Sequence, residues 1–126
     1  MKTHLILYVF DQFSSTQFYH AVLAQDPTLN VPGMTEFTLG EDCILGLMPL
    51  REIARLLGDA EIRPDEADVA PRAELYLRTP DAVGCFERAL ALGARELSPM
   101  LPRDWGDVAG YVRDPDGHVV AFAMLD

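Results

Sequence analysis

Two short stretches alternate apolar residues with side chains able to bind or react. They are His4-Leu-Ile-Leu-Tyr8 and Glu74-Leu-Tyr-Leu-Arg78. Successive side chains of a strand point to opposite faces. Leu5, Leu7 and Val9 therefore share one face, against His4, Ile6 and Tyr8. Leu75 and Leu77 share another, against Glu74, Tyr76 and Arg78. The apolar sets are expected to pack on helices. A mixed face either meets water or, where two such faces curl around one concavity, lines a ligand.

The chemistry on offer is recognition rather than bond breaking. His4 and Glu74 are expected to form a buried pair that binds ligand or only satisfies buried polarity. Tyr8, Tyr76 and Tyr111 each give a flat apolar face with one hydroxyl. Arg78 and Arg113 suit a ligand carboxylate, a pairing with Glu74 or a surface salt bridge. Trp105, the single tryptophan, lies between Pro102 and Gly106. It packs in the core or walls a site for a planar ligand. His20 reads as a charge partner near a helix end and His118 as exposed after a turn. Cys43 and Cys85 read as small buried residues, with no basic neighbour to activate a thiol. There is no Gly-rich phosphate loop, serine elbow or zinc knuckle.

These residues need elements to hold them, and the same plan is read twice. Leu5–Val9 is a strand. Ser14 and Ser15 are expected to cap a helix over Thr16–Gln25, which Pro27 ends. Strands follow at Leu29–Val31, Met34–Leu39 and Cys43–Met48, the last two joined by a turn at Gly40-Glu41-Asp42. Glu74–Thr79 then repeats the first strand, and Val83–Leu92 the helix, with Gly93 at its end. Strands are expected at Arg95–Leu97, Val108–Arg113 and, after the turn Asp114-Pro115-Asp116-Gly117, at Val119–Leu125. Between the halves, Leu50–Leu57 is an amphipathic helix with Ile53, Leu56 and Leu57 on one face. An internal repeat of this kind governs fold assignment. The division is 1–58 for the first module with its trailing helix, 59–72 for an acidic, solvated linker and 73–126 for the second. Overall they make one structural domain.

The arithmetic agrees with a small globular protein. The chain has 126 residues, 49% of them hydrophobic, and a formal net charge of −10. Such acidity argues against nucleic acid as a partner. The apolar run Leu5–Phe10 is far too short to span a membrane and is not a secretory signal. Two cysteines make no disulfide framework, so a cytoplasmic, reducing location is expected.

Three blocks carry a resemblance. The first is His4-Leu-Ile-Leu-Tyr-Val-Phe-Asp11 with Ser15 and Phe18-Tyr19. The second is Glu74-Leu-Tyr-Leu-Arg-Thr-Pro-Asp81 with Phe86, Arg88-Ala89 and Gly93-Ala94. The third is Trp105-Gly106 and Gly110-Tyr-Val-Arg-Asp-Pro-Asp-Gly-His118. In order and pairing they resemble the vicinal oxygen chelate superfamily, which holds glyoxalase I, extradiol dioxygenases, fosfomycin-resistance enzymes and bleomycin-resistance proteins. The resemblance implies an α+β fold of two tandem βαβββ modules whose mixed sheet forms a curved cleft. It also implies a homodimer.

Enzymes of that superfamily hold a divalent metal with four side chains from the first and last strands of each module, His or Gln, Glu, His and Glu. Carried over residue by residue, His4 fills the first position and Glu74 stands where a His is usual. A Glu would be expected near Gly46, among Ile44 to Leu47, and another at Ala121. Two donors remain, and two-donor sites bind metal weakly. The resemblance therefore favours the metal-free bleomycin-resistance branch. The expected function is sequestration of a small cationic or aromatic ligand by His4, Tyr8, Glu74, Tyr76, Arg78, Trp105 and Tyr111, with no cofactor. The alternatives are a metal-dependent lyase or dioxygenase built on His4 and Glu74, and an interaction protein that keeps only the fold.

Overall fold

The computed structural model describes residues 1–58 and 71–126. The acidic linker expected at 59–72, with Asp59, Glu61, Asp65, Glu66 and Asp68, lies outside them except for its last two residues. The chain divides into two units, Met1–Ala67 and Asp68–Asp126, and each has an α+β plan.

The first unit runs β1 (Thr3–Val9), α1 (Gln12–Leu23), β2 (Leu29–Val31), β3 (Met34–Gly40), β4 (Cys43–Pro49) and α2 (Leu50–Leu57). Its sheet is ordered β1-β4-β3-β2. The β1–β4 pair is parallel and the rest antiparallel. Leu7 and Val9 lie on the same face as Leu45, Leu47 and Phe37, and α1 contributes Phe18, Tyr19 and Val22 to the core. Each such side chain stabilises the unit by roughly 1.5–3 kcal/mol through burial.

The helix α1 begins a turn earlier than Ser14 and Ser15 suggested. Asp11 is its N-cap, in extended backbone, with Oδ2 accepting from the Ser14 amide at 3.0 Å. Ser15 cannot cap because it is buried inside the helix face. The end comes at Ala24, in the left-handed region at φ 53°. In α2 only Ile53 is buried, and Leu56 and Leu57 stay exposed.

The second unit repeats the order as β5 (Glu74–Arg78), α3 (Ala82–Ala91), β6 (Arg95–Pro102), β7 (Asp107–Arg113) and β8 (Val119–Leu125). Its sheet is β5-β8-β7-β6, again with the first pair parallel. Leu75, Val112, Val120 and Phe122 are buried, as are Cys85, Phe86 and Ala89 of α3. Gly110 lets helix and sheet approach: a Cβ there would stand 2.8 Å from the Phe86 ring. The strand β6 extends well beyond the expected Arg95–Leu97. Two register shifts, between Glu96 and Ser98 and between Ser98 and Leu101, carry it past Pro99, which has no amide hydrogen to give. At the β7–β8 turn, buried Asp114 accepts from the amides of Asp116 and His118, each at 2.9 Å. That turn leaves His118 half-buried rather than exposed. Among the described residues no helix is long and apolar enough to cross a membrane.

Candidate functional site

The register of the second sheet sorts its side chains. On the face opposite Leu75, Val120 and Val112, three rows cross the strands: Glu74–Val119–Arg113, Tyr76–Ala121–Tyr111 and Arg78–Ala123–Ala109. Asp107, level with Leu125, lies on that face too. Large polar and aromatic groups thus stand beside alanines.

Three of these groups and Trp105 of the preceding loop form one bonded chain. Trp105 Nε1 donates to Tyr76 Oη at 2.9 Å. Tyr76 Oη donates to Asp107 Oδ2 at 2.6 Å. Arg78 donates to the same oxygen through Nε at 3.1 Å, and its Nη2 forms an ion pair with that oxygen at 3.0 Å. The direction follows from the groups: an indole nitrogen only donates, a salt-bridged carboxylate accepts, and a phenol does both. The Asp107 side chain is 1% exposed and Arg78 62% exposed. Asp107 Oδ1 is buried without a hydrogen-bond partner among the described residues.

Burial raises the Tyr76 pKa above its ordinary value, and the bond to Asp107 adds to the rise. The phenol therefore keeps the proton it donates. Tyr111 is raised as well, by burial first and then by the negative charge of Glu74. Arg103 lies over the Tyr111 ring, 5.2 Å from its centroid. Its guanidinium is fixed by the Ala109 carbonyl at 2.8 Å and Ser98 Oγ at 2.8 Å.

Trp105 is 53% exposed, which removes the core-packing alternative. Its ring is nonetheless fixed at the nitrogen. The result is a presented flat aromatic surface beside a phenol and a guanidinium, groups with the chemistry to stack on planar rings and to pair with charge.

In the first unit, His4, Ile6 and Tyr8 share a face with Ile44, Gly46 and Met48. His4 Nδ1 lies 3.5 Å from Glu36 Oε2. The acid beside His4 is thus Glu36, brought there because its register partner Gly46 is also the partner of Ile6. His4 is 41% exposed, and Glu74 is exposed on β5. Tyr8 lies at the same face, 38% exposed.

Two of the four positions expected to hold metal ligands, Gly46 and Ala121, carry no donor side chain. Gly46, where an acid would be expected, lies on the His4 face, but its Cα faces apolar neighbours. A Cβ there would stand 3.1 Å from Ile6 Cγ1 and 3.2 Å from Met34 Sδ. Ala121 lies between Tyr76 and Tyr111. Among the described residues no three His, Cys, Asp or Glu side chains gather where they could hold an ion.

The remaining candidates have local explanations. His20 Nε2 pairs with Asp26 Oδ1 at 2.8 Å near the end of α1. Arg113 donates to the Gly117 carbonyl at 2.7 Å. Cys43 is half-buried rather than buried. Cys85 is buried and does have a basic neighbour, Arg88, whose Nη2 lies 3.4 Å from Sγ. Burial still pushes its thiol pKa up, outweighing that charge.

Sequence reasoning brought Tyr76, Arg78, Trp105 and Tyr111 forward but missed the acid that joins the first three. Asp107 was read as loop because the strand was started at Val108. Period-two counting back from Tyr111 through Ala109 reaches Asp107 on the same face. Glu36 and Arg103 were missed as well.

The Glyoxalase/Bleomycin resistance protein/Dioxygenase superfamily matches this chain over residues 3–122. No curated protein matches it. Among solved structures, a glyoxalase-related enzyme from Fulvimarina pelagi is similar at 21% identity and a TM-score of 0.77, covering 98% of this chain and 87% of that one. A protein of unknown function from Agrobacterium tumefaciens is similar at 20% identity and a TM-score of 0.80, covering 98% and 94%. A glyoxalase/bleomycin resistance protein/dioxygenase family enzyme from Burkholderia phytofirmans is similar at 13% identity and a TM-score of 0.79, covering 98% and 97%.

Proposed function

The chain belongs to the glyoxalase/bleomycin resistance/dioxygenase superfamily, and from that premise we propose that it binds a small cationic or aromatic organic molecule without a metal. Its action is sequestration, as in bleomycin-resistance-type proteins, and it works as a homodimer. The observation that supports this reading best is Trp105, half-exposed yet fixed through Nε1 on Tyr76 Oη. Holding an exposed ring in one orientation lowers the entropy that a ligand must otherwise overcome on stacking. Asp107 sets that orientation by fixing the phenol. Tyr111 and Arg78 stand on the same face, and the overall charge of −10 attracts cations. His4, Tyr8 and Glu74 are the further ligand contacts of this reading.

The test uses the fluorescence of the single tryptophan. The protein is titrated with planar organic cations such as N-methylacridinium, in the presence of a chelator. Saturable quenching is expected, with Trp105→Ala weakening binding about tenfold as read by calorimetry. Binding that needs stoichiometric metal and is lost in His4→Ala would favour the metal-dependent alternative instead. Failure of every probe would leave the fold-only interaction protein.

A further inference from the structure

The first unit holds a cavity of about 650 Å³ on the other side of its architecture, beside α1. That volume lies within the usual range for small-molecule sites, roughly 300–1,000 Å³. Its lining comes from the first three turns of α1, from Asp11 to His20, and from the chain between Asp26 and Pro32. None of the ligand contacts proposed above comes from either segment.

Polar bridges tie the start of α1 to the hairpin beside it. Gln12 Nε2 donates to the Val31 carbonyl at 2.8 Å and to Thr35 Oγ1 at 3.0 Å, and its Oε1 accepts from the Gly33 amide at 2.9 Å. The carboxamide of Gln12 is therefore fully used. Thr35 is completely buried. Its hydroxyl donates to Asn30 Oδ1 at 3.3 Å. Since Thr35 has one hydrogen, the 2.8 Å bond between its oxygen and that of Thr16 must be donated by Thr16.

This direction decides what the cavity offers. Thr16 has spent its hydrogen, so its oxygen is an acceptor only. Asn30 has received on its oxygen, so its Nδ2 keeps two donors. Both side chains line the cavity, and both are bonded to the same hydroxyl. An acceptor and a donor thus lie side by side. Around them stand Phe13, which is 70% exposed, with Pro27, Val31 and Pro32. The charged groups of the lining are already engaged: Asp11 with Ser14, and His20 with Asp26. Two carboxylates in the lining oppose an anion.

We propose that this cavity is a second binding site, for a small neutral planar carboxamide. Its carbonyl accepts from Asn30 Nδ2, its N–H donates to Thr16 Oγ1, and its apolar plane lies against Phe13 and the prolines. This site is independent of the one at Trp105.

The experiment titrates ¹⁵N-labelled full-length protein with benzamide, and with benzoate and benzylammonium as controls sharing the ring. Benzamide is expected to shift the amides of α1 and of residues 28–31 saturably, with Trp105 fluorescence unchanged. Asn30→Ala is expected to raise Kd about tenfold, and Phe13→Ala about threefold. Both residues are exposed, and an unaltered spectrum of β1 and β4 in the same unit verifies folding. The proposal is overturned by absence of saturable α1 shifts, by benzoate or benzylammonium binding as tightly as benzamide, or by an unchanged Kd in Asn30→Ala. Shifts confined to the Trp105 loop would overturn it too.

Discussion

The two sheets share a topology and differ in what their open faces carry. In the first, the middle row is Ile6–Gly46–Glu36, and its ion pair is a 3.5 Å contact between two partly exposed groups, His4 and Glu36. In the second, the middle row is Tyr76–Ala121–Tyr111, and the acid beside it is buried and receives two hydrogen bonds and an ion-pair contact on one oxygen. Register alone supplies matching positions. The work done at them depends on burial. An exposed pair shares its field with water and gains little. A buried carboxylate must be satisfied by fixed donors, and fixing them orders Tyr76 and Trp105 in turn.

Variants at the two acids are the strongest way to break this comparison. Asp107→Ala is expected to destabilise the protein by about 2 kcal/mol, since the loss of bonds to a charged group outweighs the relief of removing the unpaired Oδ1. Glu36→Ala is expected to cost under about 1 kcal/mol. Urea unfolding measures both, and equal losses would show that burial does not separate the faces. Only Asp107→Ala is expected to change the emission of Trp105.

The alkaline side sharpens the same contrast. Tyr76 and Tyr111 have pKa values raised above the ordinary value of 10.0, by burial first. A raised folded-state pKa contributes stability that is fully present below pH 10 and lost as pH climbs through the folded-state values. Thermal stability is therefore expected to fall above pH 10, together with the appearance of tyrosinate absorbance. Tyr76→Phe and Tyr111→Phe together are expected to flatten that fall. A fall of undiminished steepness would place its origin outside the second sheet.

Much of this was legible in the order of residues, and the failures have physical causes. Leu50–Leu57 and Val119–Leu125 have the bounds the pattern gave them. The alternation in β1 and β5 placed Tyr76 and Arg78 on one face because period two needs no tertiary information. The partner of Arg78 was not legible. Asp107 and Glu74 are both acids near strands, and only the β7–β8 register puts Asp107 beside Arg78. The start of α1 was misplaced for a related reason. Asp11 and the serines all suit an N-cap, and the choice depends on burial, which turns Ser15 inward. In β6 the strand expected over Arg95–Leu97 continues past Pro99 on two register shifts.

The helices give the smallest contrast between the units. Both α1 and α3 follow a strand through an aspartate, but only one aspartate caps. Asp11 sits at φ −138°, ψ 113° and accepts from the Ser14 amide. Asp81 sits at φ −100°, ψ 39° and makes no capping bond from its side chain. Its carboxylate instead lies over Gly84, in the space a Cβ there would need, and pairs with Arg88 Nη1 at 3.1 Å. The residue three positions after each aspartate differs: Ser14 has a hydroxyl that also donates to Asp11, whereas Gly84 offers only its backbone amide. Asp11→Ala is expected to cost about 1 kcal/mol, and Asp81→Ala no more than about 0.5 kcal/mol, the worth of an exposed ion pair. Denaturant midpoints of the two variants decide it, and a larger loss at Asp81 would mean that its bond to Arg88, and not a cap, is what holds α3.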